Sequence, residues 1–133
     1  LTGLPLANAS LLDEATAAAE AMAMCYAIAR HAGQERHEFF VSRDCHPQTL
    51  AVLQTRAEPL GIVLKTGVPS AADCARPELC GILLQYPATD GYVGDFSALV
   101  TQAHEENSVP ILPSVRLKGS ASRSASVDPM PPF

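Results

Sequence analysis

Cys45 and His46 stand side by side, and a thiol next to an imidazole is a pairing from which nucleophiles are made. Neighbouring residues in an extended or turning segment point in different directions, however, so adjacency alone builds no dyad and no catalytic residue is assigned. Cys25, Cys45, Cys74 and Cys80 include no C-x-x-C pair, and five residues separate the last two. That spacing argues against a zinc cluster or other metal site and for reduced thiols packed as small core residues. Lys65 and Lys118 are the only lysines. A lysine that forms an imine needs an enclosed apolar setting, whereas Lys65 falls on a predicted strand and Lys118 in a Ser-rich tail. No P-loop, G-x-G-x-x-G or G-x-S-x-G motif is present, which weakens nucleotide-binding and serine-hydrolase readings.

Asn8, Ser10, Asp13 and Glu14 crowd the start of an alanine-rich helix, where unpaired N–H groups and the positive end of the dipole could hold an anion or a partner loop. Two carboxylates at that start would repel a phosphate dianion, so dipole partnership is the favoured role of Asp13 and Glu14. Ser10 or Asp13 is expected to cap a helix reaching about Ala32, with Gly33 as its stop. Its apolar residues run around most of the circumference, so packing on several sides is expected.

Downstream, Glu38–Ser42 reads as a strand, and Pro47 suits the first turn of a helix to about Ala57. Ile62–Thr66 and Cys80–Tyr86 read as two further strands, the second apolar enough for the inside of a sheet covered on both faces. Tyr86-Pro87 followed by Asp90-Gly91 marks a strand-end loop, the place where α/β proteins put ligands, although turn chemistry alone would also account for it. Asp95 can cap a helix through Phe96, Leu99, Val100 and Ala103, and 109–112 is expected to form the next strand. The rhythm implies an α/β unit with a mainly parallel sheet and right-handed helical crossovers over residues 1–112. Residues 113–133, rich in Ser and Pro, are expected to be disordered. Arg56 and Glu58 read as a solvated helix end.

The chain has 133 residues, a formal charge of -5 and 47% hydrophobic content, which suits one globular core and disfavours nucleic acid or anionic membrane as a partner. No run approaches the roughly 20 apolar residues that span a bilayer. The start at Leu1, without Met, is expected of an excised or partial product.

Four ordered blocks carry a family resemblance: LTGLPLAN at the start, ANASLLDEATAAAEAMAM at 7–24, DCHPQTLAVLQTRAEPLGI at 44–62 and GILLQYPATDGYVGDFSALV at 81–100. Together they resemble the first half of the glycine cleavage system P-protein, the pyridoxal-phosphate-dependent glycine dehydrogenase (decarboxylating). The resemblance implies part of the large domain of the aspartate-aminotransferase-like architecture, fold type I. It implies a fragment of an enzyme that decarboxylates glycine and passes the aminomethyl group to the lipoylated H-protein. It also implies a partner, because the Schiff-base lysine belongs to the complementary half or subunit. Alone, the fragment is expected to be inactive. The other reading is a non-catalytic structural or interaction module that completes the cofactor-bearing half.

By position in the family, His46 matches a ring-stacking histidine and Thr16 a phosphate-cradling helix start, so these two are the cofactor-binding candidates. The residues themselves favour a hydrogen bond from His46 to a neighbouring loop and a capping role for Thr16. Ala15 stands where the family usually has glycine, and its methyl group can hinder close backbone approach to a phosphate. The acid that pairs with a pyridine nitrogen would fall in SVPILPSVRLKG, which has none. The family pattern is expected to end after His104. The resemblance implies the mitochondrial matrix for a eukaryotic source and the cytoplasm for a bacterial one.

Overall fold

The computed structural model describes residues 13–105 and the backbone of 109–111. Asp13 caps helix α1 (Glu14–His31), its carboxylate accepting from the Thr16 amide at 2.7 Å and the Thr16 hydroxyl at 2.9 Å. Ser10, the other capping candidate, lies outside the described residues. At the far end Gly33 takes a φ of 70°, and Gln34 N–H returns to the Ala29 carbonyl at 2.9 Å, which closes the last turn.

Strands β1 (Glu38–Ser42), β2 (Val63–Gly67), β3 (Leu79–Leu83) and β4 (Val109–Ile111) form one parallel sheet in the order β2-β1-β3-β4. Helix α2 (Pro47–Ala57) joins β1 to β2 through a short 3-10 turn, and Pro47 occupies its first turn, where a missing N–H costs nothing. The segment before β3, expected as loop, contains a short helix α3 (Ala71–Cys74) held by a capping box between Ser70 and Asp73. Helix α4 (Ser97–Glu105) follows the Asp95 turn, in which the Asp95 carboxylate accepts from the Ser97 amide at 2.9 Å.

The sheet separates two apolar layers. Ala18, Ala19, Met22, Cys25 and Ala29 of α1 and Leu53 and Ala57 of α2 pack on Phe39, Val41, Cys80 and Leu83. On the other face Cys74, Val100 and Ala103 pack on Phe40, Leu79, Ile82 and Leu84. Side chains alternate strictly on β1, but on β3 Leu79 and Ile82 share a face although three positions apart. A bulge explains it: Glu38 pairs with Leu79 and Phe39 with Gly81, which leaves Cys80 as the extra residue.

Packing of α1 on several sides does not hold. It buries Ala15, Ala18, Ala19, Met22, Cys25 and Ala29 but leaves Met24 56% and Ile28 39% exposed. Alanine carries so little side chain that a helix built of it can be apolar all round and still pack on one face.

One buried carboxylate ties the entrance of the sheet. Glu38 sits 3.5 Å from Lys65 Nζ of β2 and 2.8 Å from the Arg76 guanidinium before β3; the latter contact is ionic, with no N–H aligned on Oε2. Leaving such a charge unpaired costs far more than the pair gains, so the three side chains act as one unit.

Phe39 is fully buried at the centre of the sheet. Phe39→Ala is expected to cost about 3–5 kcal/mol in urea unfolding, against less than 0.5 kcal/mol for Gln54→Ala on the exposed face of α2.

Candidate functional site

The carboxyl ends of β1 and β3 turn into two loops that meet beside the starts of α1 and α2. Ser42 closes β1, and its hydroxyl accepts from the Asp44 amide at 3.3 Å, which bends the chain outward. Cys45 N–H then bonds Ser42 carbonyl at 3.1 Å and hands the chain to His46, the residue that precedes α2. The His46 amide is received by Oε1 of Gln85, a buried side chain just past β3, at 3.0 Å. One buried amide group thus fixes the start of α2 against the neighbouring strand.

The second loop begins with a cis Tyr86–Pro87 peptide and folds on itself through Ala88 N–H to Tyr92 carbonyl at 2.9 Å and Gly91 N–H to Ala88 carbonyl at 2.8 Å. Gly91 has a φ of 86°, a conformation that a side chain resists. Thr89 bridges the two loops. Its amide and its hydroxyl both donate to the Asp44 carbonyl, at 3.0 and 2.7 Å, and the same hydroxyl lies 3.0 Å from His46 Nδ1.

His46 lines an open groove of about 840 Å³ with Asp13, Glu14 and Ala15 of α1 and Gln48 and Thr49 of α2. Thr16, the other cofactor-binding candidate, spends its amide and hydroxyl on the Asp13 cap, and that engagement lowers the Asp13 carboxyl below its usual value. The groove wall therefore presents carboxylates where a phosphate cradle would present free N–H groups. A second groove, lined by Tyr26, Arg30, Arg36 and His37, lies at the other end of α1, away from these loops.

The Cys45–His46 pair is not a dyad. Cys45 is 2% exposed in the layer under α1 and α2, and its thiol is pushed up to about 11 by burial and by the Asp44 charge, while His46 turns to Thr89. Burial likewise pushes Cys80 up to about 11 and Cys25 up to about 12. All four cysteines are buried and outside any disulfide, and no group of three or more potential metal-binding side chains occurs among the described residues. Lys65 pairs with Glu38 at the opposite end of the sheet from His46, and Lys118 lies outside the described residues. Arg56 pairs with Glu20, linking α2 to α1.

Residues 1–117 match the family model for the glycine cleavage system P-protein. The chain belongs to that family. The match to the P-protein continues past His104, where the block pattern was expected to end. Relatives include the mitochondrial glycine dehydrogenase (decarboxylating) of Mus musculus, 51% identical over 82% of this chain and 10% of its own length. The enzyme of the same description from Thermosynechococcus vestitus is 56% identical over 79% of this chain and 11% of its own length. A crystal structure of glycine decarboxylase (P-protein) in inhibitor-bound form superposes with a TM-score of 0.65 and 29% identity, covering 85% of this chain and 26% of that one. The chain thus spans about a tenth of the length of these curated P-protein relatives.

Thr89, Gln85 and the Asp44 carbonyl escaped the sequence reading. The Tyr-Pro turn marked the loop that carries Thr89, but a main-chain acceptor in the other loop and a buried glutamine leave no sequence signal of their own.

Two measurements test this geometry. With thiols buried and pushed up to about 11 or 12, the three cysteines Cys25, Cys45 and Cys80 are expected to stay unlabelled by a thiol-reactive probe at pH 8 and to react once urea unfolds the chain. The Asp13 carboxyl is depressed in the fold, so its stabilising effect is present above the unfolded value of 3.8 and fades as pH falls through the lower folded value. Asp13→Asn should remove that part of the acid dependence of α1 helicity followed by circular dichroism.

Proposed function

We propose that this chain is a portion of the first half of a glycine dehydrogenase (decarboxylating), and that its contribution is architectural. The observation that carries the reading is about 50% identity to such enzymes over four-fifths of the chain, where they are matched over a tenth of their length. The parent reaction is decarboxylation of glycine, with transfer of the aminomethyl group to the lipoyl arm of the H-protein. Pyridoxal phosphate supplies the electron sink for that chemistry when bound to the parent enzyme.

The residues of this chain do not fit that cofactor. Lys65 is committed to Glu38, the described part of β4 (Val109-Pro110-Ile111) contains no acid for a ring nitrogen, and the start of α1 bears Ala15 between an engaged Thr16 and the Asp13 and Glu14 carboxylates. No step of the reaction is assigned to His46 or Thr16. The complementary, lysine-bearing half holds the cofactor in this reading, and the compartment follows the source, matrix or bacterial cytoplasm.

A purified chain given pyridoxal phosphate and then borohydride should incorporate no more pyridoxyl label than unfolded chain does, by mass spectrometry. Stoichiometric label on a single lysine in the folded chain would overturn the architectural role. Co-expression with the lysine-bearing half should yield a co-purifying complex; a chain that stays separate at micromolar concentration would refute completion of that half.

A further inference from the structure

We propose that Thr89 is a positioning residue that fixes His46 as the Nδ1–H tautomer and so decides what the imidazole can bind. A main-chain carbonyl can only accept a hydrogen bond, so the 2.7 Å approach of Thr89 Oγ1 to the Asp44 carbonyl consumes the single hydroxyl proton. The same oxygen then faces His46 Nδ1 at 3.0 Å with lone pairs alone. Two lone pairs at that distance repel, so the proton between them belongs to Nδ1. The hydroxyl has no second orientation: turning its proton toward the ring would leave two oxygens 2.7 Å apart with nothing between them.

The backbone holds both partners in place. Thr89 N–H also bonds the Asp44 carbonyl at 3.0 Å, and the His46 amide is tied to buried Gln85 at 3.0 Å, so neither residue can withdraw without breaking a second bond. The His46 ring has no partner besides Thr89 among the described residues. With Nδ1 protonated, the neutral ring offers Nε2 as an acceptor. A group that engages it must bring an N–H or O–H; a phosphate or carboxylate oxygen meets a lone pair instead. A neutral ring that served an oxyanion by donating from Nε2 would need the other tautomer, which Thr89 disfavours. The inference goes beyond the architectural reading and does not require it.

Long-range proton–nitrogen correlation spectra of the ¹⁵N-labelled full chain read the tautomer directly, with His46→Asn identifying the ring and the pH held above the midpoint of its own titration. The expected pattern is a protonated Nδ1 and a lone-pair Nε2. Thr89→Ser keeps the hydroxyl and should keep the pattern. Thr89→Val removes it and should return the ring to the ordinary preference of free imidazole, protonated at Nε2. A protonated Nε2 in the unaltered chain would overturn the proposal. So would a protonated Nδ1 that survives Thr89→Val in a chain whose amide spectrum is otherwise unchanged. The unaltered chain decides the first point even where the valine variant unfolds.

Discussion

Burial of β1 and β3 on both faces is the constraint from which the rest of the molecule follows. Phe39, Phe40 and Val41 alternate between two helical layers, and Ile82, Leu83 and Leu84 do the same beside them. Strands without a wet face must satisfy every amide in the ladder, which makes them the rigid members of the structure. The loops that leave their carboxyl ends inherit that rigidity. Gln85 is still buried when it meets the His46 amide, and Asp44 is only two residues past the sheet when it receives Thr89. The precision of the His46 neighbourhood is thus a property of the core beneath it.

The elements of the fold were legible because their signals are local. Pro47 opened α2, Gly33 ended α1, and the β-branched and aromatic runs fell on strands within one residue, except that the strand expected to run to Tyr86 stops at Leu83. What stayed hidden was pairwise. Nothing in the string says that Glu38 faces both Lys65 and Arg76, or that Cys80 is the extra residue of a bulge, since each fact depends on partners some 27 to 42 positions away. The short helix α3 escaped because its capping box encloses a single turn, too short for periodicity to register. The disorder expected of residues 113–133 falls outside the described residues.

The candidate site divides in the same way. Adjacency suggested chemistry for Cys45 and His46, and depth removed it: one side chain enters the core while the next remains at the rim. Family position suggested Thr16 and His46 as cofactor contacts, and each has a protein partner that occupies the relevant atoms on one side. Membership of the P-protein family rests on the whole 1–117 match, a far broader base than any two residues.

The bulge at Cys80 bears on how this strand tolerates change in length. Leu79 and Ile82 face one layer only because one residue between them is not counted by the ladder. Removing the extra residue at 80 would restore an unbroken alternation with every later residue on its present face, whereas one residue more between Gly81 and Ile82 would swap the sides on which everything after it lies. Both sides are apolar, so polarity would not object; shape would, with Ile82 turned toward the methionine and alanines of α1 and Leu83 toward the α3 and α4 layer. Insertions and deletions in the exposed loop around Tyr92 carry no such penalty, which makes the middle of β3, rather than its tip, the place where chain length is under strict control.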